Sequence, residues 1–114
     1  MLPKQHRLRR TRDFALCYRK GLRASDSLMS LVLLPRPVGE RRLGVSVSRK
    51  VGGAVVRNRV KRLLREAARE LVNEPDSGFD IVLVAKPAAA DATFIAIRDT
   101  LLSLVRTIKG RRER

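Results

Sequence analysis

The side chains with the most chemical potential in this chain are cations. The stretch "RNRVKRLLR", Arg57 to Arg65, holds five positive charges in nine residues, with Asn58 between the first two arginines. Val60, Leu63 and Leu64 recur at helical spacing within it, so the charges should stud one amphipathic helix. Like charges along a helix repel one another and oppose folding. An ordinary solvated helix face mixes signs at i, i+4, yet Arg57, Arg59, Lys61, Arg62 and Arg65 run without an acid among them, and Arg49 and Lys50 stand just before. Arginine presents a planar fork that matches phosphate and stacks on bases. A polyanionic partner, with phosphates relieving the repulsion, is the chemistry this pattern suits.

Bond-making chemistry finds little support. The first 65 residues contain only Asp13, Asp26 and Glu40 as acids, widely spaced. Ser46 and Ser48 have no His nearby in sequence, and the one His, His6, falls in an N-terminal arm. "VGGAVVRN" lacks both the spacing and the Lys-Ser/Thr ending of a phosphate-binding loop. The lone Cys17 excludes an intramolecular disulfide and a cysteine metal cluster. A catalytic site made of this chain's own side chains is not expected.

The charge is also unevenly placed. Of 26 Lys and Arg against 11 Asp and Glu, residues 1–65 carry 18 basic and 3 acidic side chains, while residues 66–114 carry 8 of each. The entire net charge of +15 therefore belongs to the first 65 residues. Solubility alone does not call for such asymmetry, whereas a polyanion does. No apolar run reaches the length of a membrane span, and no apolar segment follows the basic N-terminus as in a secretory signal. A cytoplasmic protein without a membrane partner is expected.

The elements that must position these cations follow from periodicity. The 114 residues suit one domain. We expect a single RNA-binding domain over 1–114, with a basic arm at 1–10 and a flexible tail at 109–114. Thr11 can cap a short helix ended by Gly21, with Phe14, Cys17 and Tyr18 on one face. A weak strand at Leu22–Ser25 precedes the apolar run Ser27–Leu34. Arg42–Ser48 then alternates, with Leu43, Val45 and Val47 on one side and the small Gly44, Ser46 and Ser48 on the other. The runs 27–34 and 42–48 read as an antiparallel hairpin with a long loop. A helix follows from about Ala54 to Asn73, with Val56, Val60, Leu63, Leu64, Ala67 and Leu71 in an arc of about 80°. Glu70 and Glu74 fall in its later turns, and "EPDSG" ends it. Phe79–Pro87 reads as a central strand, parallel to 42–48 across the helical connection. Asp91 can cap the last helix, which runs to Ile108. Strand runs with covering helices predict an α+β, two-layer sandwich.

RNA fits this order better than DNA does. A helix-turn-helix needs a partner helix before the recognition helix, and here a strand and "RKVGG" precede it. Single-stranded RNA suits an open sheet flanked by aromatics on which bases stack. Phe14 and Tyr18 fit that role, and equally fit plain core packing. The small residues at 44, 46 and 48 fit a close approach by nucleic acid, or a solvated sheet face.

The segment "RLGVSVSRKVGGAVVRNRVKRLLRE", Arg42 to Glu66, resembles the central segment of the bacterial ribonuclease P protein family. That family shows a Gly-x-Ser-x-Ser-[Lys/Arg]-Lys strand end and a Gly-x-Ala-Val-x-Arg-Asn-Arg-x-Lys-Arg-x-x-Arg helix. Gly44, Ser46, Ser48, Arg49, Lys50, Gly52, Ala54, Val55, Arg57, Asn58, Arg59, Lys61, Arg62 and Arg65 match it. "LPKQHRLRRTRDF" and "DIVLVAKPAA" are similar to it as well, and the likeness is weakest at residues 22–41 and beyond Ala90.

The resemblance implies a four-stranded mixed sheet with three helices in the order αβββαβα and a left-handed βαβ crossover. It implies the protein subunit of an endoribonuclease whose catalytic RNA holds the active site and its Mg²⁺. The partners would be that ribonuclease P RNA, one per chain, and precursor tRNA, whose 5′ leader is removed. Arg57, Asn58, Arg59, Lys61, Arg62 and Arg65 would bind the catalytic RNA, with Asn58 between phosphate-bound arginines or on a hydrated metal. Phe14, Tyr18, Ser46, Ser48, Arg49 and Lys50 would bind the leader. A sheet aromatic expected near Val32 is missing here. The alternative is a ribosomal-type or assembly RNA-binding protein without linked enzyme activity; a DNA-binding module ranks third.

Overall fold

The computed structural model describes residues 3–73 and 76–112. In chain order it forms α1 (Thr11–Lys20), β1 (Leu22–Ser25), β2 (Met29–Pro35), β3 (Arg41–Ser46), α2 (Ala54–Val72), β4 (Phe79–Ala85) and α3 (Phe94–Arg112), with short 3-10 turns at Lys4–His6 and Pro87–Asp91. The expected order αβββαβα and mixed sheet are present. Glu74 and Pro75, read as the helix's last acid and its stop, lie outside the described residues, as do residues 1–2 of the arm and 113–114 of the tail.

The strand order is β1-β2-β4-β3. β4 runs antiparallel to β2 and parallel to β3, so the expected parallel pairing across α2 is found. The expected hairpin of 27–34 with 42–48 is not: β4 lies between them. β4 is buried on both faces along almost its whole length, and its residues lose the most apolar surface when flanked on each side. The hairpin in the sheet is instead β1–β2. Its turn is built by Asp26, whose Oδ1 accepts from the backbone N–H of Leu28 (2.8 Å) and of Met29 (3.1 Å).

Alternation in the strands divides the core in two. Leu31, Leu33, Leu43, Ile81 and Leu83 join Val60, Leu64, Leu71, Ile97, Leu101 and Ile108 in the larger cluster beneath α2 and α3. Val32 and Val82 face the other way, packing with Cys17 of α1 and with Leu8. α1 docks there through two close approaches. A Cβ at Gly44 would stand 2.5 Å from the Phe14 ring, and one at Gly21 would stand 2.5 Å from Val32 Cγ1 and 2.6 Å from Cys17 O. Gly21 ends α1 as expected, in an extended conformation, whereas Thr11 is the first helical residue and Arg10 takes the cap position, so the expected cap at Thr11 is not found. Thr93, not Asp91, caps α3, its Oγ1 accepting from Ala96 N–H at 3.1 Å. α3 also continues past Ile108 to Arg112.

The N-terminal segment is a strap rather than a free arm. Leu8 is buried, its N–H donates to Leu43 O (2.8 Å), and Arg7 bridges Leu43 in parallel. His6 Nδ1 lies 2.7 Å from Arg41 O. The strap thus covers the start of the β3 edge.

Cys17 is fully buried, and burial, with the nearby Asp80 carboxylate, pushes its thiol up to about 11. The folded state holds this proton more tightly than the unfolded chain. Its contribution to stability is therefore present below pH 9 and lost as pH rises toward 11. Alkylation of Cys17 by iodoacetamide at pH 8 should follow global unfolding; labelling of the native protein at the rate of a free thiol would contradict its burial.

Candidate nucleic-acid interface

On the α1 side the sheet presents three rows, fixed by register. Arg42, Asp80 and Leu34 form the first row, and Gly44, Val82, Val32 and Arg23 the second. Both rows lie under or beside α1. Asp80, 1% exposed, receives a bidentate fork from Arg42 (Nε 2.9 Å, Nη2 2.8 Å), and Arg42 Nη1 reaches Asp13 of α1 at 3.2 Å. The hydrogen bond to Asp80 raises the Arg42 pKa further. The third row is Ser46, Val84, Ser30 and Ser25, and none of the four is buried. It forms a shallow, small-residue floor.

Aromatic and basic groups border that floor. Phe14 is half-buried with its ring over Gly44. Tyr18, one turn on, is 36% exposed, and the Arg23 guanidinium lies 5.7 Å from its ring centroid. At the Ser25 end, Lys86 Nζ donates to Ser25 Oγ at 2.7 Å. At the other end β3 finishes at Ser46, and Ser48 opens a turn in which Val51 N–H donates to Ser48 O (3.1 Å) and Lys50 N–H to Ser48 Oγ (3.3 Å). Ser48 therefore belongs to the rim with the exposed Arg49 and Lys50, not to the floor.

The cations of α2 divide by direction. Asn58, Arg62 and Arg65 are exposed, and Arg57 and Lys61 are half-buried. Arg57 Nε is enclosed without a hydrogen-bond partner. Arg59 is different. Its Nη1 and Nη2 donate to the backbone carbonyls of Ala90 (2.9 Å) and Ala92 (3.1 Å), tying α2 to the segment before α3. The helix begins at Gly53 with no side-chain cap and no acid in its first turn. An anion at this end meets both the helix dipole and the guanidinium groups.

A family model described as Ribonuclease P matches residues 2–109. The chain belongs to the ribonuclease P protein family. Its relatives include the ribonuclease P protein component of Desulfovibrio desulfuricans, 46% identical over 110 residues, covering 93% of this chain and 85% of that one. That of a Picosynechococcus species is 39% identical over 94 residues, covering 82% and 81%. Solved structures agree. The Staphylococcus aureus protein superposes with a TM-score of 0.80 at 30% identity, covering 91% of this chain and 95% of that one. The Thermotoga maritima protein does so with a TM-score of 0.74 at 32% identity, covering 85% and 92%.

Within this ribonuclease P protein, Phe14 and Tyr18 of α1 stand on the sheet face that carries Ser46, and Ser48, Arg49 and Lys50 follow the end of β3. Arg57, Asn58, Lys61, Arg62 and Arg65 belong to α2, and of these Arg65 lines a pocket together with Phe14. Val32, near the missing sheet aromatic, is 1% exposed beneath α1, so no side chain there could serve as an open platform. Sequence reasoning missed Ser25, Ser30, Arg23 and Lys86. A single Ser in the apolar run "LMSLVLL" was the available signal for Ser30. Nothing local marks Arg23 or Lys86.

Proposed function

We infer that this chain is the protein subunit of a ribonuclease P, the basic partner of a catalytic RNA that matures the 5′ ends of tRNA. The observation that carries this reading is the family match over residues 2–109. It favours the holoenzyme role over a ribosomal-type RNA-binding protein. Catalysis belongs to the RNA. Mg²⁺ would be held by the RNA and the substrate, where it would supply an activated water and stabilise the leaving oxygen. Among the described residues no three His, Cys, Asp or Glu gather to hold a metal, and Asn58, a lone exposed amide, serves through water. No described helix is long and apolar enough to cross a membrane; the complex acts in the cytoplasm with one protein per RNA.

The residues divide the work. Arg57, Lys61, Arg62 and Arg65 neutralise phosphates of the catalytic RNA, and Asn58 hydrogen-bonds among them. The cleft of Phe14, Tyr18 and Ser46, with Ser48, Arg49 and Lys50, grips the precursor's leader by stacking and phosphate contact. By screening the repulsion between two RNAs, the protein lowers the Mg²⁺ that cleavage requires. Six released counterions on single-stranded RNA give a log–log salt slope of about −4.

The test combines a bacterial ribonuclease P RNA, a precursor tRNA with a leader, and this protein at low Mg²⁺. Cleavage at the mature 5′ end should appear only when the protein is added; RNA binding without cleavage would favour the ribosomal-type alternative. Two variants separate RNA contact from structure. Arg57→Ala should weaken RNA binding and leave the melting temperature nearly unchanged. Arg59→Ala should lower both, because it leaves two carbonyls without donors, a loss of about 1–3 kcal/mol. Equal melting losses in the two would remove this distinction.

A further inference from the structure

We propose that the chain receives one unpaired nucleotide of its RNA partner in a pocket at the free edge of β3, between the strap, α1 and α2. The proposal rests on the RNA-binding reading above and adds to it a pocket that shares Phe14 with the leader cleft and Arg65 with the cationic face of α2. The pocket has a volume of about 280 Å³. That is just under the ~300–1,000 Å³ of usual small-molecule sites, room for one base with its sugar but not for two. Phe14, Leu43 and Val45 give it an apolar interior, and Arg7, Arg9 and Arg65 stand around it with no acid in the lining.

Three features select a nucleotide. First, an apolar lining that includes the Phe14 ring suits the face of a base, whose stacking is indifferent to sequence. Second, the arginines come from two distant segments, the strap and α2, and converge on one opening. Arg9 and Arg65 are exposed and free to turn toward a phosphate on either side of an inserted base. Third, β3 is the edge strand, and the strap pairs with it only as far as Leu43. Leu43 O accepts from the strap, so by the two-residue alternation Val45 turns its N–H and C=O to the same edge. No described strand pairs with Val45 on that side. A donor and an acceptor thus stand beside the apolar slot, as the edge of a base requires. A bare phosphate would leave the slot empty, and a base-paired nucleotide could not enter it. The leader floor runs the other way, across the sheet from Ser46 toward Ser25, and meets this pocket at Phe14.

The experiment is chemical probing of a bacterial ribonuclease P RNA, alone and with protein, alongside titration of affinity. Wild-type protein should protect the base edge of one unpaired nucleotide. Val45→Phe, which fills the slot, should abolish that protection, leave the other protections in place and weaken binding about tenfold. Arg9→Ala, at an exposed position, should weaken binding less and make the salt slope shallower by about 0.7–0.9. If Val45→Phe fails to fold, Arg9→Ala decides. Protection and slope unchanged in a folded variant would overturn the proposal, as would equal competition by polyglutamate and by RNA of matched charge. Wild-type protein that restores cleavage while these variants behave normally sinks the pocket alone. Wild-type protein that neither binds the RNA nor restores cleavage sinks the function itself.

Discussion

Arg42→Met is expected to lower stability by about 3–5 kcal/mol, the usual cost of stripping one partner from a buried ion pair. For a chain of this size that is a fall in melting temperature of roughly 15–30 °C. The reason is what remains. Asp80 is 1% exposed and takes both its charged hydrogen bonds from the Arg42 fork. Without Arg42 that carboxylate is buried unpaired, and Asp13 loses the contact that helps dock α1. The double variant Arg42→Met with Asp80→Leu should regain much of the loss, because neither charge is then desolvated. Thermal melting of the two variants decides the matter. A loss under about 1 kcal/mol in the single variant would mean water reaches Asp80 and the pair behaves as a surface bridge.

That network also shows where sequence reading ends. Asp13 and Asp80 lie far apart in the chain, and Arg42 looks like one more basic residue of a basic half. No periodicity links the three. Sheet register does so, by setting Arg42 opposite Asp80 in the parallel β3–β4 pair. The same limit explains the misplaced hairpin. Local patterning marks which segments are strands but not which strand enters between two others. The apolar density of 79–85 pointed to its central place, yet the consequence for β2 and β3 depended on long-range burial. Legible features were those carried by period and charge: the face of α2, the inward set Leu43, Val45 and Val47, and the cationic asymmetry. The roles of individual cations were less legible. Arg59 differs from Arg57 only through carbonyls more than thirty residues away, and the strap at residues 7–8 is held by backbone bonds that no side-chain pattern announces.

The proposed leader cleft carries the other large effect. Tyr18→Ala should weaken binding of a single-stranded leader by about 1–3 kcal/mol if one base stacks there, roughly 5- to 150-fold. The ring is already oriented by Arg23, which sits over it, and a base would stack on the part of the ring that is open to solvent. Because Tyr18 is 36% exposed, the melting temperature should hardly move, and this separates binding from folding. Phe14 cannot be read so cleanly, since its ring packs over Gly44; Phe14→Ala should lower both. The counterpart is a gain. Val32 is sealed under α1, but Ser30 lies two residues along on the same face, in the uncovered row. Ser30→Phe would restore an aromatic to the floor and should tighten leader binding several-fold. Fluorescence titration with a short leader oligonucleotide at fixed salt measures all three. Tyr18→Ala binding like the wild type, with Ser30→Phe giving no gain, would move the leader off this face, and the rim cations Arg49 and Lys50 would then have to hold it by phosphate contact alone.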